Sequence, residues 1–168
     1  MHNHIKNNLL SFFILLNLIN PVAVYAATDM VKNEGTIVNK ADLKWKPLPN
    51  MPEGAQIAMV YGDPSKADRY VFQLKIPDGY IIPSHWHTNA EETTVISGTL
   101  NFGFGDTISK TDAKVLKVGD YVFVPGHAHH YLWSTGETII QDAGMGPRDT
   151  IFVNPDELKK LIAKDKKS

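Results

Sequence analysis

The chain has 168 residues, 43% of them hydrophobic and 21% charged, with a formal net charge of −1, no cysteine and seven histidines. This is the composition of one ordinary globular domain, and the absent basic excess argues against a nucleic-acid partner. Without cysteine there can be no disulfide, thiolate zinc site, iron–sulfur cluster or cysteine nucleophile.

The first 26 residues read as a secretory signal peptide. Lys6 lies among polar residues, residues 9–19 form an apolar run, and Val24 and Ala26 suit the −3 and −1 positions of a cleavage site. The run is too short to span a bilayer, so the mature protein is expected to be periplasmic or secreted, free of the membrane once cleaved. His2 and His4 belong to this segment. Residues 27–55, with Pro47, Pro49 and Pro52 around Trp45, Leu48 and Met51, read as an extended arm with a short strand near 36–38.

Short apolar runs separated by turn signals then cover 56–153, the pattern of an antiparallel sandwich or barrel. Strands are expected at 57–61, 70–76, 93–96, 99–104, 121–124, 138–141 and 151–153, with a further short one within 111–117. The clearest is 70–76, where Tyr70, Phe72, Leu74 and Ile76 alternate with Val71, Gln73 and Lys75. A helix and tail occupy 154–168. Asn154 is placed to cap it, Pro155 suits the first turn, and Leu158, Leu161 and Ile162 form an apolar stripe.

Five histidines fall in two clusters. His85 and His87 stand at i and i+2, which on a strand aims both rings at one face, and Glu91 can return to the same pocket past a short bend. His127, His129 and His130 offer a third imidazole from another strand. Three histidines and a carboxylate suit a divalent transition metal such as manganese, iron, zinc, nickel or copper.

The spacing Gly79-x5-His85-x-His87-x3-Glu91-x6-Gly98 resembles the first motif of the cupin superfamily. Gly119-x5-Pro125, followed by His130, resembles the second, with His127 and Ser134 standing where that motif has Gly and Asn. The likeness covers residues 43–155 and is narrower still to small exported single-domain bacterial cupins and to the zinc-binding cupin domain of certain anti-sigma factors. It implies an all-β fold, a double-stranded β-helix or jelly-roll barrel, with His85, His87, Glu91 and His130 as metal ligands. Glu92 is the alternative to Glu91, and His129 the alternative to His130. At His127 the departure from Gly means a turn that either avoids positive φ or carries strain, and this ring is a candidate catalytic base or a solvent-facing loop residue.

Alternation suggests a pocket wall drawn from Tyr80, Ile82, Phe102, Phe104, Tyr121, Phe123, Tyr131 and Trp133. Gln73, Gln141 and Arg148 are the polar residues expected at a substrate, and Trp86 should face away from the ligands. The functional expectation is a metal-dependent enzyme acting on a small molecule by oxidation, isomerisation or hydrolysis. The alternative is a non-catalytic metal or small-ligand binding or sensing module. The resemblance also implies a homodimer formed through sheet edges or the arm.

Overall fold

The structure, a computed structural model, describes residues 35–165; the expected signal peptide, the start of the arm and the last three residues lie outside that range. Nine strands follow one short 3-10 turn (Lys40–Asp42): β1 (Lys46–Pro47), β2 (Gln56–Tyr61), β3 (Arg69–Ile76), β4 (Ile81–Trp86), β5 (Glu91–Phe104), β6 (Lys114–Leu116), β7 (Tyr121–Val124), β8 (His130–Met145) and β9 (Ile151–Phe152). The helix α1 (Pro155–Asp165) comes last. Among the described residues no helix is long and apolar enough to cross a membrane.

Two long strands organise everything else. The first half of β5 pairs with the second half of β8 (Val95 opposite Ile140), and the second half of β5 with the first half of β8 (Phe102 opposite Leu132). One half-sheet therefore runs β1-β2-β3-β8-β5-β7, and the other β9-β4-β8-β5-β6. Both strands pass from one half-sheet to the other through a register shift, with Gly98 (φ 80°) on β5 and Gly136 (φ 72°) on β8. Gly98 is thus a bend inside one strand rather than the end of a strand, as its turn chemistry suggested. This is the jelly-roll solution: two curled layers closed over one core.

Inward-facing residues fill that core. Phe72, Leu74, Ile76, Val95, Leu100, Phe102, Leu132 and Ile140 are buried together. The alternation expected for residues 70–76 holds, with Tyr70, Phe72, Leu74 and Ile76 buried and the residues between them partly exposed. No strand forms at residues 36–38, and Ile37 is 89% exposed. The arm instead engages through β1, whose Lys46 and Pro47 lie opposite Ile57 and Gln56. A proline is tolerated there because β1 is an edge strand. Leu48 and Met51 pack on the core, and Tyr80 Oη donates to the Pro52 carbonyl at 2.8 Å. Strands β4 and the first half of β8, which apolar runs alone did not mark, are the two that carry histidines. Asn154 caps α1 as expected, its Oδ1 accepting from Asp156 N at 3.2 Å.

The bend makes a comparison between two glycines. A Cβ at Gly98 would lie 2.4 Å from the Glu137 carbonyl oxygen, whereas at Gly136 it would meet open space. Gly136→Ala should cost only the positive-φ strain, about 1–2 kcal/mol, and Gly98→Ala at least about 2 kcal/mol more. Urea denaturation of the two variants against the parent measures the difference.

Candidate metal centre

The site is built where the two half-sheets face each other. His85 on β4 and His130 on β8 are opposite one another in register, and His87 follows one residue after β4 ends. Glu91 opens β5, opposite Val124 and Gly144 in the other half-sheet. All four side chains are buried. One ligand-capable nitrogen from each of the three histidines falls within 4.8 Å of the others.

The backbone settles which nitrogen each ring presents. Nδ1 of His85 lies 2.8 Å from the Pro83 carbonyl, Nδ1 of His87 lies 2.5 Å from that of Asp149, and Nδ1 of His130 lies 2.9 Å from that of Ala128. A carbonyl only accepts, so each Nδ1 carries the proton and each Nε2 keeps its lone pair. Metal-binding histidines have this arrangement, with the far nitrogen fixed by a backbone or carboxylate acceptor. His130 Nε2 is buried without any hydrogen-bond partner. An orphaned lone pair of that kind costs stability unless something electrophilic meets it. The residues fit a divalent transition metal.

Glu91 completes the polar cluster. Its Oε2 is 3.4 Å from His87 Nε2 and its Oε1 is 3.9 Å from His130 Nε2. Arg148 holds the carboxylate from the other side, Nε at 3.0 Å and Nη2 at 2.5 Å from Oε2. The same Nη2 lies 3.2 Å from His87 Nε2, and Nη1 donates to Thr150 Oγ1 at 3.1 Å. The Arg148 main chain is anchored by its own N–H to the Pro64 carbonyl. Next to it, Asp149 accepts from Thr88 N and Oγ1 and ties this loop to the one carrying His87.

Electrostatics keep the cluster in a metal-ready state. Burial lowers all three imidazoles, His85 well below its ordinary value, with further lowering from its histidine neighbours, and His87 to about 4. They are neutral near pH 7. Burial would raise the Glu91 carboxyl, but the Arg148 guanidinium overrides it and holds the group below the usual carboxylate range. Asp142 behaves oppositely. It is buried, accepts from Thr93 Oγ1 at 2.7 Å, and is raised well above its ordinary value by burial and then by Glu91.

The neighbouring cavity measures about 300 Å³. His85, Arg148, Thr150 and Asn50 form its polar wall, while Phe72, Leu74, Ile82, Phe152 and the arm residues Leu48 and Met51 belong to its apolar wall. Of the wall expected from alternation, Ile82 is present. Phe102, Phe104, Tyr131, Trp133, Gln73 and Gln141 do not line this cavity. Phe102 is core and stacks on the His130 ring, and Phe104 lies past it at the end of β5, 53% exposed. Tyr131 and Trp133 take the opposite face of β8 from His130 and Leu132. Gln73 and Gln141 bond to each other at 3.2 Å on the outside of the β3–β8 pair. On β7 the inward residues are Val122 and Val124, leaving Tyr121 and Phe123 outside and about half exposed.

The other two described histidines, His127 and His129, lie outside this cluster. His127 adopts φ 65°, so the turn keeps the glycine-like conformation despite a side chain, and its ring packs at 4.9 Å from that of Trp86. His129 Nδ1 lies 2.7 Å from Asp106 Oδ1, and Glu92 pairs with the outward Phe123. Trp86 packs against His127 and His129, away from the cluster of His85, His87 and His130, as expected. Arg148 was visible in the sequence only as a polar residue expected at a substrate, and Asp142 was not singled out. Its signal was a polar residue on the inward parity of Ile140.

A model of the ChrR cupin-like domain matches residues 33–147. The germin-like protein 5-1 of Oryza sativa subsp. japonica is 36% identical over 67 residues, which is 38% of this chain and 29% of that protein, so the match covers under a third of the relative. Among solved structures, an RmlC-like cupin from Shewanella frigidimarina superposes with a TM-score of 0.54 at 18% identity, covering 67% of this chain and 91% of that one. The polyketide cyclase RemF from Streptomyces resistomycificus superposes with a TM-score of 0.58 at 18% identity, covering 72% and 87%. At these identities the structural matches establish the fold.

The opposed shifts of the imidazoles and Asp142 predict how the metal-free protein responds to pH. The imidazoles titrate lower in the fold than the 6.5 of an unfolded chain. The unfolded chain therefore binds more protons below pH 6.5, and stability falls as pH drops toward 4. Asp142 acts in the other sense: its contribution is fully present below pH 4 and is lost as pH rises. Three groups against one leaves a net loss of up to about 3 kcal/mol per pH unit on acidification through pH 5. Asp142→Asn should steepen that loss and make the protein more stable than the parent at pH 8. Urea titrations in chelator at pH 4.5, 5.5, 6.5 and 8 test both signs.

Proposed function

This chain belongs to the ChrR cupin-like domain family, and from that membership and the geometry of its buried histidines we propose that it is a metal-dependent enzyme acting on a small molecule. The observation that carries the reading is the set of three Nε2 lone pairs converging beside a cavity of small-molecule size. His85, His87 and His130 would hold a divalent transition metal through Nε2, and Glu91 through Oε1. Such an ion supplies Lewis-acid polarisation of a bound oxygen and a template for the reacting group.

The chain's own residues do the rest. The Pro83, Asp149 and Ala128 carbonyls hold the three rings in one tautomer, so the donor atoms need no rearrangement on binding. Arg148 keeps Glu91 ionised and fixed through Oε2 while leaving Oε1 toward the imidazoles. The apolar wall leaves few polar groups to compete with the cluster for a bound molecule. His85 lies both in the cluster and on the cavity wall, so a molecule in the cavity adjoins the ligand set.

A second reading keeps the metal and the ligand and removes turnover. Among the described residues on the cavity wall, no free carboxylate or unligated imidazole stands ready as a proton carrier, and this favours a binding or sensing module. Release of product from a panel of small oxygenated substrates, with metal-loaded protein, separates the two readings. Export belongs to the same proposal. The protein recovered from outside the cytoplasm should begin at Ala27.

Elemental analysis of the purified protein should give about one transition-metal ion per chain, falling to a tenth or less in His87→Ala and His130→Ala. Saturating metal at about 100 times its Kd should raise the unfolding free energy by about 2.7 kcal/mol in the parent and leave both variants unmoved. Stoichiometric metal in both variants would sink the assignment.

A further inference from the structure

We propose that the cavity beside the cluster is a receptor for a small organic carboxylate with an apolar body, and that Arg148 is the residue that selects the anion. The inference rests on the metal reading above and goes beyond it by naming the class of molecule the site takes. Arg148 and Asp149 lie just past the stretch that matches the family model, which ends at residue 147.

Formal charge is the first argument. Without a metal, Arg148 and Glu91 cancel, and three neutral imidazoles add nothing. A divalent ion held by the histidines and Glu91 leaves two positive charges in excess, or one if Asp142 is ionised. Buried charge of that size in an apolar enclosure is costly until an anion arrives. The loaded cavity therefore recruits negative charge, and the metal-free cavity does not.

Placement is the second argument. The Arg148 side chain is 18% exposed, although it is packed among Glu91, His87 and Thr150 and lies 5.1 Å over the Phe72 ring. It forms part of the cavity wall. In the metal-free arrangement Nη2 points one hydrogen at His87 Nε2. A metal takes that lone pair, and the Nη2 donor then loses its acceptor at the moment the excess charge appears. Nε and one Nη2 hydrogen stay on Glu91 Oε2 and one Nη1 hydrogen on Thr150, so the freed Nη2 hydrogen and the second Nη1 hydrogen are the charged donors left for a carboxylate.

The rest of the wall sets the body of the ligand. Phe72, Leu74, Ile82, Phe152, Leu48 and Met51 offer apolar surface and no second cation. A phosphate would strand charge against these side chains, and a sugar acid would carry more hydroxyls than Asn50 and Thr150 can meet. A monocarboxylate with a short aliphatic or aromatic tail leaves nothing unpaired.

Butanoate and its neutral isostere butanamide are the probes, with zinc as a spectroscopically silent metal. Calorimetric titration of the zinc-loaded full mature protein should show butanoate binding at least tenfold tighter than butanamide. In the same protein stripped by chelator, the preference should fall below threefold. Only two arginines exist in the chain, Arg69 and Arg148. In nitrogen-15 spectra the Arg148 Nε–H signal should therefore shift with butanoate, and that of Arg69 should stay put as an internal control. Arg148→Lys that still holds zinc should lose most of the preference; if that variant loses zinc, the Arg148 signal in the parent decides. Stoichiometric zinc with equal binding of the two probes, or an Arg148 signal unmoved at saturation, overturns the carboxylate site and leaves the metal centre standing. A parent protein that takes up no zinc and no other transition metal overturns both.

Discussion

A carboxylate buried between two β layers is tolerated only if its charge is met, and here the meeting of Glu91 with Arg148 sets the terms for everything around it. The pair joins the start of β5 to the loop before β9. Through Thr150 and the Thr88–Asp149 bonds it also locks that loop to the one carrying His87. Burying two charges costs several kcal/mol per ion before pairing, so the geometry has to be good for the fold to exist at all. The same pairing leaves one carboxylate oxygen directed at the imidazoles, so a stabilising requirement and a ligand-presenting one coincide in a single residue.

The histidines illustrate how a β fold prepares a site without side-chain helpers. Each ring is fixed by a main-chain carbonyl from its own vicinity or from the 147–150 loop. Because those carbonyls belong to backbone already committed to the fold, little conformational entropy remains to be lost when a ligand arrives. The cost is the unpartnered His130 Nε2. A site of this kind stores part of its affinity as an unsatisfied atom in the free protein.

The convergence of the three buried histidines was largely readable from the sequence because His-x-His on a strand fixes direction without further information. The cavity wall was not. Alternation says which residues share a face, and it leaves open which face is inside. On β7 the larger aromatic residues, Tyr121 and Phe123, take the outer side and the smaller valines face in. Tyr131 shows a further difficulty, since it is fully buried yet faces away from the core. Gly103 leaves room for its ring, and the loop after β5 covers it, with Ser109 accepting from its hydroxyl. Burial on both faces of a strand erases the contrast that alternation depends on. The length of β8 was hidden for a related reason: only 138–141 stood out as an apolar run, and the polar stretch 134–137 before it is where the strand bends.

That bend has a consequence for how the molecule can vary. His130 sits before it on β8, and Glu91 lies across from β8 after it, so two of the proposed ligands are positioned by the same pair of strands on opposite sides of one hinge. A residue inserted anywhere between Gly136 and His130 would turn that imidazole to solvent, and one inserted between Glu91 and Gly98 would do the same to the carboxylate. The loop at 62–68 anchors the Arg148 main chain through Pro64, whereas the loop at 105–113 carries no proposed ligand and no such anchor. Change in length is therefore expected to accumulate in the 105–113 loop, with the two crossing strands held to a fixed count.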